Sequence, residues 1–164
     1  MKHLISIFES VRDMPYWIGD CLENQGMDCV EKHHLLKKQL EKEGIVCRFR
    51  SCIFHWNDMP FPKEVLNISH DETCDHTFLE IQKSDGEWIT LDATWDKGLA
   101  SHLPISEWDG ETSTSLAMKF ERIASPEESE KLANSWTKER LIFDFEKNGA
   151  FYTAIDRWLK EIRL

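Results

Sequence analysis

Gly26-Met27-Asp28-Cys29-Val30-Glu31, a helical run to Glu43, and then Gly44-Ile45-Val46-Cys47-Arg48 together set the reading of the whole chain. Asp28 is a good N-cap residue, and Glu31, three positions on, completes an Asp version of the capping box. Gly44 stands where a left-handed residue would end the helix. Between them Cys29, His33, Leu36 and Leu40 recur at steps of four, three and four, which marks one buried face. Cys29 therefore occupies the first helical turn, near unpaired amides and the positive end of the macrodipole. A free thiol titrates near ~8.5, and a helix N-terminus lowers it into the ~3.5–7.5 range, which is one route to a nucleophile. A cysteine without partners at such a place reads instead as a small apolar residue opening a core helix.

The flanking segments supply the frame. Ile5, Phe8 and Val11 suggest a short amphipathic helix within residues 2–14, stopped by Pro15. Residues 16–25 read as an irregular approach segment with Gly19 and Asn24 as turn residues. A strand is expected within 45–56, then a surface loop through about residue 71. Residues 73–83 and 87–93 read as two strands around Ser84-Asp85-Gly86. Beyond Leu103, Ser125-Pro126-Glu127-Glu128 is a capped helix start and Asn148-Gly149 a stop, followed by an amphipathic face from Ala150 to Ile162.

The chain of 164 residues suits one domain, with an α+β core over about 1–103 and a helical C-terminal extension over about 104–164. Thirty acidic against 20 basic residues give a net charge of −10, which argues against a nucleic-acid or anionic-membrane surface. The apolar run Leu4–Phe8 is too short for a signal-peptide core. Five cysteines without a secretory signal point to reduced thiols and a cytoplasmic setting.

Thiol acyl chemistry needs an activated sulfur, a base within reach and a group that orients the base. Among the seven histidines, His33 and His34 sit on the Cys29 helix, and His76 stands on a strand whose hairpin partner carries Asp92. A three-residue loop at 84–86 pairs Lys83 with Glu87 and puts His76 and Asp92 on one face, two positions apart. A two-residue loop, Asp85-Gly86, sends them to opposite faces.

Gly26-x-Asp28-Cys29, Gly44-Ile45-x-x-Arg48, His76 followed by Phe78 and Glu80, and Trp88-x-x-Leu91-Asp92-x-Thr94-Trp95 resemble the transglutaminase-like superfamily, a branch of the papain-like thiol enzymes. Val11-Arg12-Asp13 and Tyr16 resemble the helix that commonly precedes the cysteine, so the resemblance covers about residues 5–97. It implies a Cys29–His76–Asp92 triad on an α+β core, with the cysteine-bearing helix packed on a small antiparallel sheet. Ala93 stands where the family often has proline. Gly19-Asp20-Cys21 repeats the Gly-Asp-Cys pattern, but Cys21 lacks the following helix and the spaced Gly44 and Arg48. The family's side-chain donor to the oxyanion lies upstream of the cysteine, with Gln25 and Trp17 as candidates, and Trp17 and Trp95 are expected at the mouth of a substrate groove.

Zinc is the rival chemistry, since Cys47-x4-Cys52 has ligand spacing and Cys74-x-His76 lies nearby. On a continuous strand Cys47 and Cys52 point to opposite faces, and adjacent His33 and His34 cannot both face one ion. No metal and no cofactor are therefore expected. The function expected is thiol-dependent acyl transfer on an amide or peptide bond of a protein or peptide substrate, with water or an amine as acceptor. The alternative is a binding or scaffold module that keeps the fold without the chemistry. The geometric expectation is that the Cys29 helix covers the sheet face that carries His76 and Asp92.

Overall fold

The computed structural model describes residues 1–21 and 24–164, with the side chains of 20–25 left aside. The fold is α+β. Helix α1 (Lys2–Arg12) precedes a two-stranded ribbon, β1 (Trp17–Cys21) and β2 (Asn24–Met27), and then α2 (Cys29–Lys42). Strand β3 (Cys47–His55), α3 (Lys63–Leu66), β4 (Thr73–Gln82), β5 (Trp88–Leu91), β6 (Arg122–Ile123), α4 (Pro126–Ala133) and α5 (Lys138–Ile162) follow. The main sheet is antiparallel, in the order β5-β4-β3-β6. Among the described residues no helix is long and apolar enough to cross a membrane.

The cap at the start of α2 forms as its residue types require: the Asp28 carboxylate accepts from the Val30 and Glu31 amides. Gly44, at φ +80°, turns the chain out of the helix. At the hairpin, Lys83 N–H donates to Glu87 O at 2.8 Å, and Gly86 takes φ +89°. The loop is thus the three-residue form, and the ladder pairs Leu79 with Leu91 and Ile81 with Ile89. Extended by the same register, Asp92 lies opposite Phe78 and His76 opposite Thr94.

The sheet is covered on both faces. Leu79, Ile81, Ile89 and Leu91 join Leu36 and Leu40 of α2 and Phe8 and Val11 of α1 in one core. These strand residues have the opposite parity to His76 and Asp92, so the expectation that α2 covers the triad face is corrected. Burial of leucine and isoleucine sets the side on which the helix packs, and α2 approaches His76 and Asp92 by its end. Its first turn meets the edge of β4 where β5 has left the ladder, and there Thr77 N–H reaches the Cys29 sulfur.

Four other expectations change. Residues 16–25 are not irregular: β1 and β2 pair through Trp17 with Met27 and Gly19 with Gln25. The segment from 57 to about 71 is not a surface loop, because Met59, Phe61 and Val65 are buried, beside Trp56, in a second core with Trp95, Leu99, Phe151 and Ile155. Asn148-Gly149 does not end a helix. The helix capped by Ser125 stops at Ala133, and α5 runs straight through Gly149 because Phe151, Tyr152, Ile155 and Leu159 anchor its buried face. Nor is 104–164 purely helical, since β6 pairs with β3 and Trp108 and Ala133 enter the first core.

The glycine of the Gly26-x-Asp28-Cys29 motif has a steric cause. A Cβ on Gly26 would lie 2.0 Å from the Trp17 carbonyl oxygen, inside the ribbon backbone. Gly26→Ala should therefore destabilise the protein by about 3 kcal/mol or more. Gly44→Ala, where nothing lies within 4 Å and only φ is strained, should cost about 1–2 kcal/mol. Urea unfolding of the two variants side by side checks the order.

Candidate active site

Asp92 has no solvent exposure and gathers four hydrogen bonds. Its Oδ2 accepts from His76 Nε2 and from Ala117 N–H, each at 2.8 Å. Its Oδ1 accepts from Thr94 N–H at 3.1 Å and from the Thr94 hydroxyl at 2.6 Å. Burial alone would raise this carboxyl, but His76 beside it, its hydrogen bond, His33 and Thr94 together hold it well below the usual carboxylate range. A carboxylate only accepts, so His76 Nε2 carries the proton and in the neutral ring Nδ1 is the bare nitrogen. His76 is fully buried, and Nδ1 has no hydrogen-bond partner.

Cys29 and His76 line one cavity of about 170 Å³. The Cys29 thiol is free and its residue half-buried. Contrary to the sequence expectation, the thiol is not lowered. Burial pushes it up, the Asp28 carboxylate adds to that, and the Thr77 N–H opposes it. The helix N-terminus is outweighed because burial desolvates the thiolate and the capping Asp28 carboxylate repels it. The other described thiols are also pushed up by burial, Cys47 and Cys52 to about 12, and Cys74 as well. Cys29 differs from Cys47 and Cys52 in sharing a cavity wall with His76.

His33, the nearest rival base, is committed elsewhere. Its Nδ1 lies 2.6 Å from Cys29 O and its Nε2 accepts from Ala93 N–H at 2.9 Å. A carbonyl only accepts, so Nδ1 carries the proton and the ring is neutral. Burial pushes it down to about 4, against the pull of Asp92. His33 thereby ties the residue of the candidate nucleophile to the backbone next to Asp92. Lys32, beside it and fully buried, does similar work with its ammonium, donating to Arg12 O, Met14 O and Thr94 O at 2.7–2.9 Å. Burial pushes Lys32 down to about 7, with Asp96 and Asp92 pulling up.

Of the groove residues expected from sequence, Trp95 is buried and lines the cavity, but its indole N–H is spent on Ala117 O at 3.0 Å. Trp17 is not among the lining residues; its neighbour Ile18 is. The Gln25 and Cys21 side chains lie outside the described residues. The cavity wall also includes Trp56, Trp136, Phe145 and Tyr152, and the Trp136 indole N–H is buried without a partner. Reasoning from sequence missed these because Trp56 reads only as the end of a strand and the others fall in the helical extension. The alternation of Phe54 and Trp56 around a polar His55 was the available signal.

The remaining motif residues cluster away from the sulfur. Glu80 accepts from Arg48 Nε at 2.7 Å and from Arg50 Nη1 at 2.5 Å, and the Arg48 guanidinium lies 3.9 Å from the Trp88 ring centre. Among the described residues no three His, Cys, Asp or Glu side chains are placed to share a metal ion. No family model matches the chain, and comparison with curated proteins and with solved structures returned no significant match.

The neutral His33 makes stability depend on pH. In the unfolded chain it titrates near ~6.5. Between that value and about 4 the unfolded chain binds a proton that the native chain refuses, so stability falls as pH is lowered through this window. The loss should be on the order of 3 kcal/mol. Urea midpoints at pH 7 and pH 4.5 measure it. His33→Gln, less stable at pH 7, should lose far less on acidification.

Proposed function

We propose that this chain is a thiol-dependent acyl-transfer enzyme with a transglutaminase-like, papain-type core, acting on an amide or peptide bond of a protein or peptide. The observation that carries the reading is the state of His76. Asp92 fixes its tautomer at 2.8 Å, its Nδ1 is left without a partner, and it lines the same cavity as a thiol at a helix N-terminus. The raised thiol fits a sulfur that rests protonated. Attack then begins when His76 Nδ1 takes the Cys29 proton as the carbon–sulfur bond forms. The Cys29 amide, at a helix position with no intrahelical partner, faces the developing oxyanion, and Trp136 Nε1 is a candidate second donor. Collapse expels the amine, which leaves with the proton from His76. Water or a second amine then attacks the thioester and gives its proton to His76, and the departing sulfur takes that proton back as the thiol. These steps use protein groups alone. The proposed setting is cytoplasmic, in keeping with the free thiols of the described cysteines and the net charge of −10.

Iodoacetamide labelling mapped by peptide mass spectrometry across pH 6–9 tests the reading. Cys29 should label first near neutral pH, and His76→Ala should shift its labelling to alkaline pH. Equal labelling of Cys29 with and without His76 would favour the non-catalytic binding module. Asp92→Asn should cost more than orientation of the base. An amide NH2 placed among four donors leaves at least one of them unpaired. We expect activity to fall by ~10³–10⁴ and stability by about 2–3 kcal/mol. A model amide substrate and a urea melt read the two effects separately.

A further inference from the structure

The wall of the cavity beside Cys29 has a charge pattern that its chemistry alone does not require. Asp28, Glu31, Asp75 and Asp144 line it, and no lysine or arginine does. The rest of the wall is largely aromatic, with Trp56, Trp95, Trp136 and Tyr152 among its members. Three of the four carboxylates have protein partners. Asp28 caps α2, Asp144 accepts from Asn148 and Tyr152, and Asp75 Oδ1 takes a 3.3 Å bond from Arg140. Asp75 Oδ2 is buried with no partner at all. His76, fully buried on the same wall, likewise leaves Nδ1 unpaired. Buried polar atoms without partners are costly, so a cavity that keeps them is organised for a ligand.

Arg140 shows what this wall accepts. Its guanidinium lies 3.8 Å from the Trp136 ring centre while it bonds to Asp75, so the chain's own cation already uses an aromatic face and one oxygen of that carboxylate. Among the described residues no lysine or arginine pairs with Asp28, Glu31 or Asp144, so their charge on the same wall remains for another cation. Resting on the acyl-transfer reading above, we infer that the acyl donor carries an ammonium or guanidinium group, held in the cavity against Asp75 and the aromatic wall while its carbonyl meets Cys29. The acidic chain, at −10, steers such a substrate toward the cavity.

Methanethiosulfonate reagents of opposite charge test this at the sulfur itself. Each forms a disulfide with the thiolate and releases methanesulfinate. Peptide mapping separates Cys29 from Cys74, which lines the same cavity. With each rate divided by that on 2-mercaptoethanol, the trimethylammonioethyl reagent should modify Cys29 at least ~10-fold faster than the sulfonatoethyl reagent. Asp75→Asn and Asp144→Asn should each shrink that ratio. A second measurement needs no variant: N-acetyl-lysine amide should protect wild-type Cys29 from iodoacetamide, and the uncharged N-acetyl-norleucine amide should not. Equal rates for the two charged reagents, or equal protection by norleucine, would overturn the inference and leave a merely apolar pocket. Loss of His76 dependence in iodoacetamide labelling would instead sink the acyl-transfer reading. The charge ratio does not depend on that outcome, so the two failures are distinguishable.

Discussion

Burying the Asp92 carboxylate without exposure would cost several kcal/mol if it stood alone, and the structure around it is arranged so that it does not. Four donors from three segments converge on its two oxygens: the His76 ring, both Thr94 groups and the Ala117 amide. Its own N–H is taken by the Thr114 hydroxyl. The anion thus fixes the tautomer of His76, the turn after β5, and the path of residues 114–117 along the sheet edge. Each of these would be free to move without it.

The N-terminal end of α2 is held to this centre by buried cationic and neutral groups rather than by hydrophobic packing. Three ammonium protons of Lys32 meet three carbonyl oxygens, which matches an amine donor set with no surplus. His33 joins Cys29 O to Ala93 N–H. Further along the helix, Leu36 and Leu40 pack on the leucines and isoleucines of the opposite sheet face. One helix therefore serves the core with its middle and the site with its end. That division explains how a sheet face carrying His76 and Asp92 can meet a sulfur from a helix that covers the other face.

Much of the site was legible because its signals are local. Asp28 caps, Gly44 terminates, and Ser84-Asp85-Gly86 turns, each through its own backbone chemistry, and the side-chain alternation of strands then places His76 and Asp92 together. The length of the hairpin loop was the one ambiguity, and the Lys83–Glu87 pair resolves it. By contrast, the Asn148-Gly149 stop was misread because local helix-breaking propensity is weak beside the burial of Phe151, Ile155 and Leu159. The segment from 57 to about 71 was misread because Pro and Asn mark a turn without saying that Met59, Phe61 and Val65 beside them are buried.

What the sequence determined alone is α1, α2 with its caps, and β3 to β5 as a strand and a hairpin, since these follow from contacts a few residues apart. Which of two hairpin loops forms, and so whether His76 and Asp92 share a face, the folded chain decided. The electrostatic state of the site came only from the tertiary structure. The acidity of Cys29 depends on how deeply it is buried and on the distance to Asp28, not on its helix position. The roles of His33 and Lys32 depend on carbonyls and amides more than ten residues away or on the far side of the sheet edge. The cavity wall draws Trp56, Asp75, Trp136 and Asp144 from four separate segments. Desolvation and Coulomb energies depend on surroundings in three dimensions, and a pattern along one chain holds no record of them until it has folded.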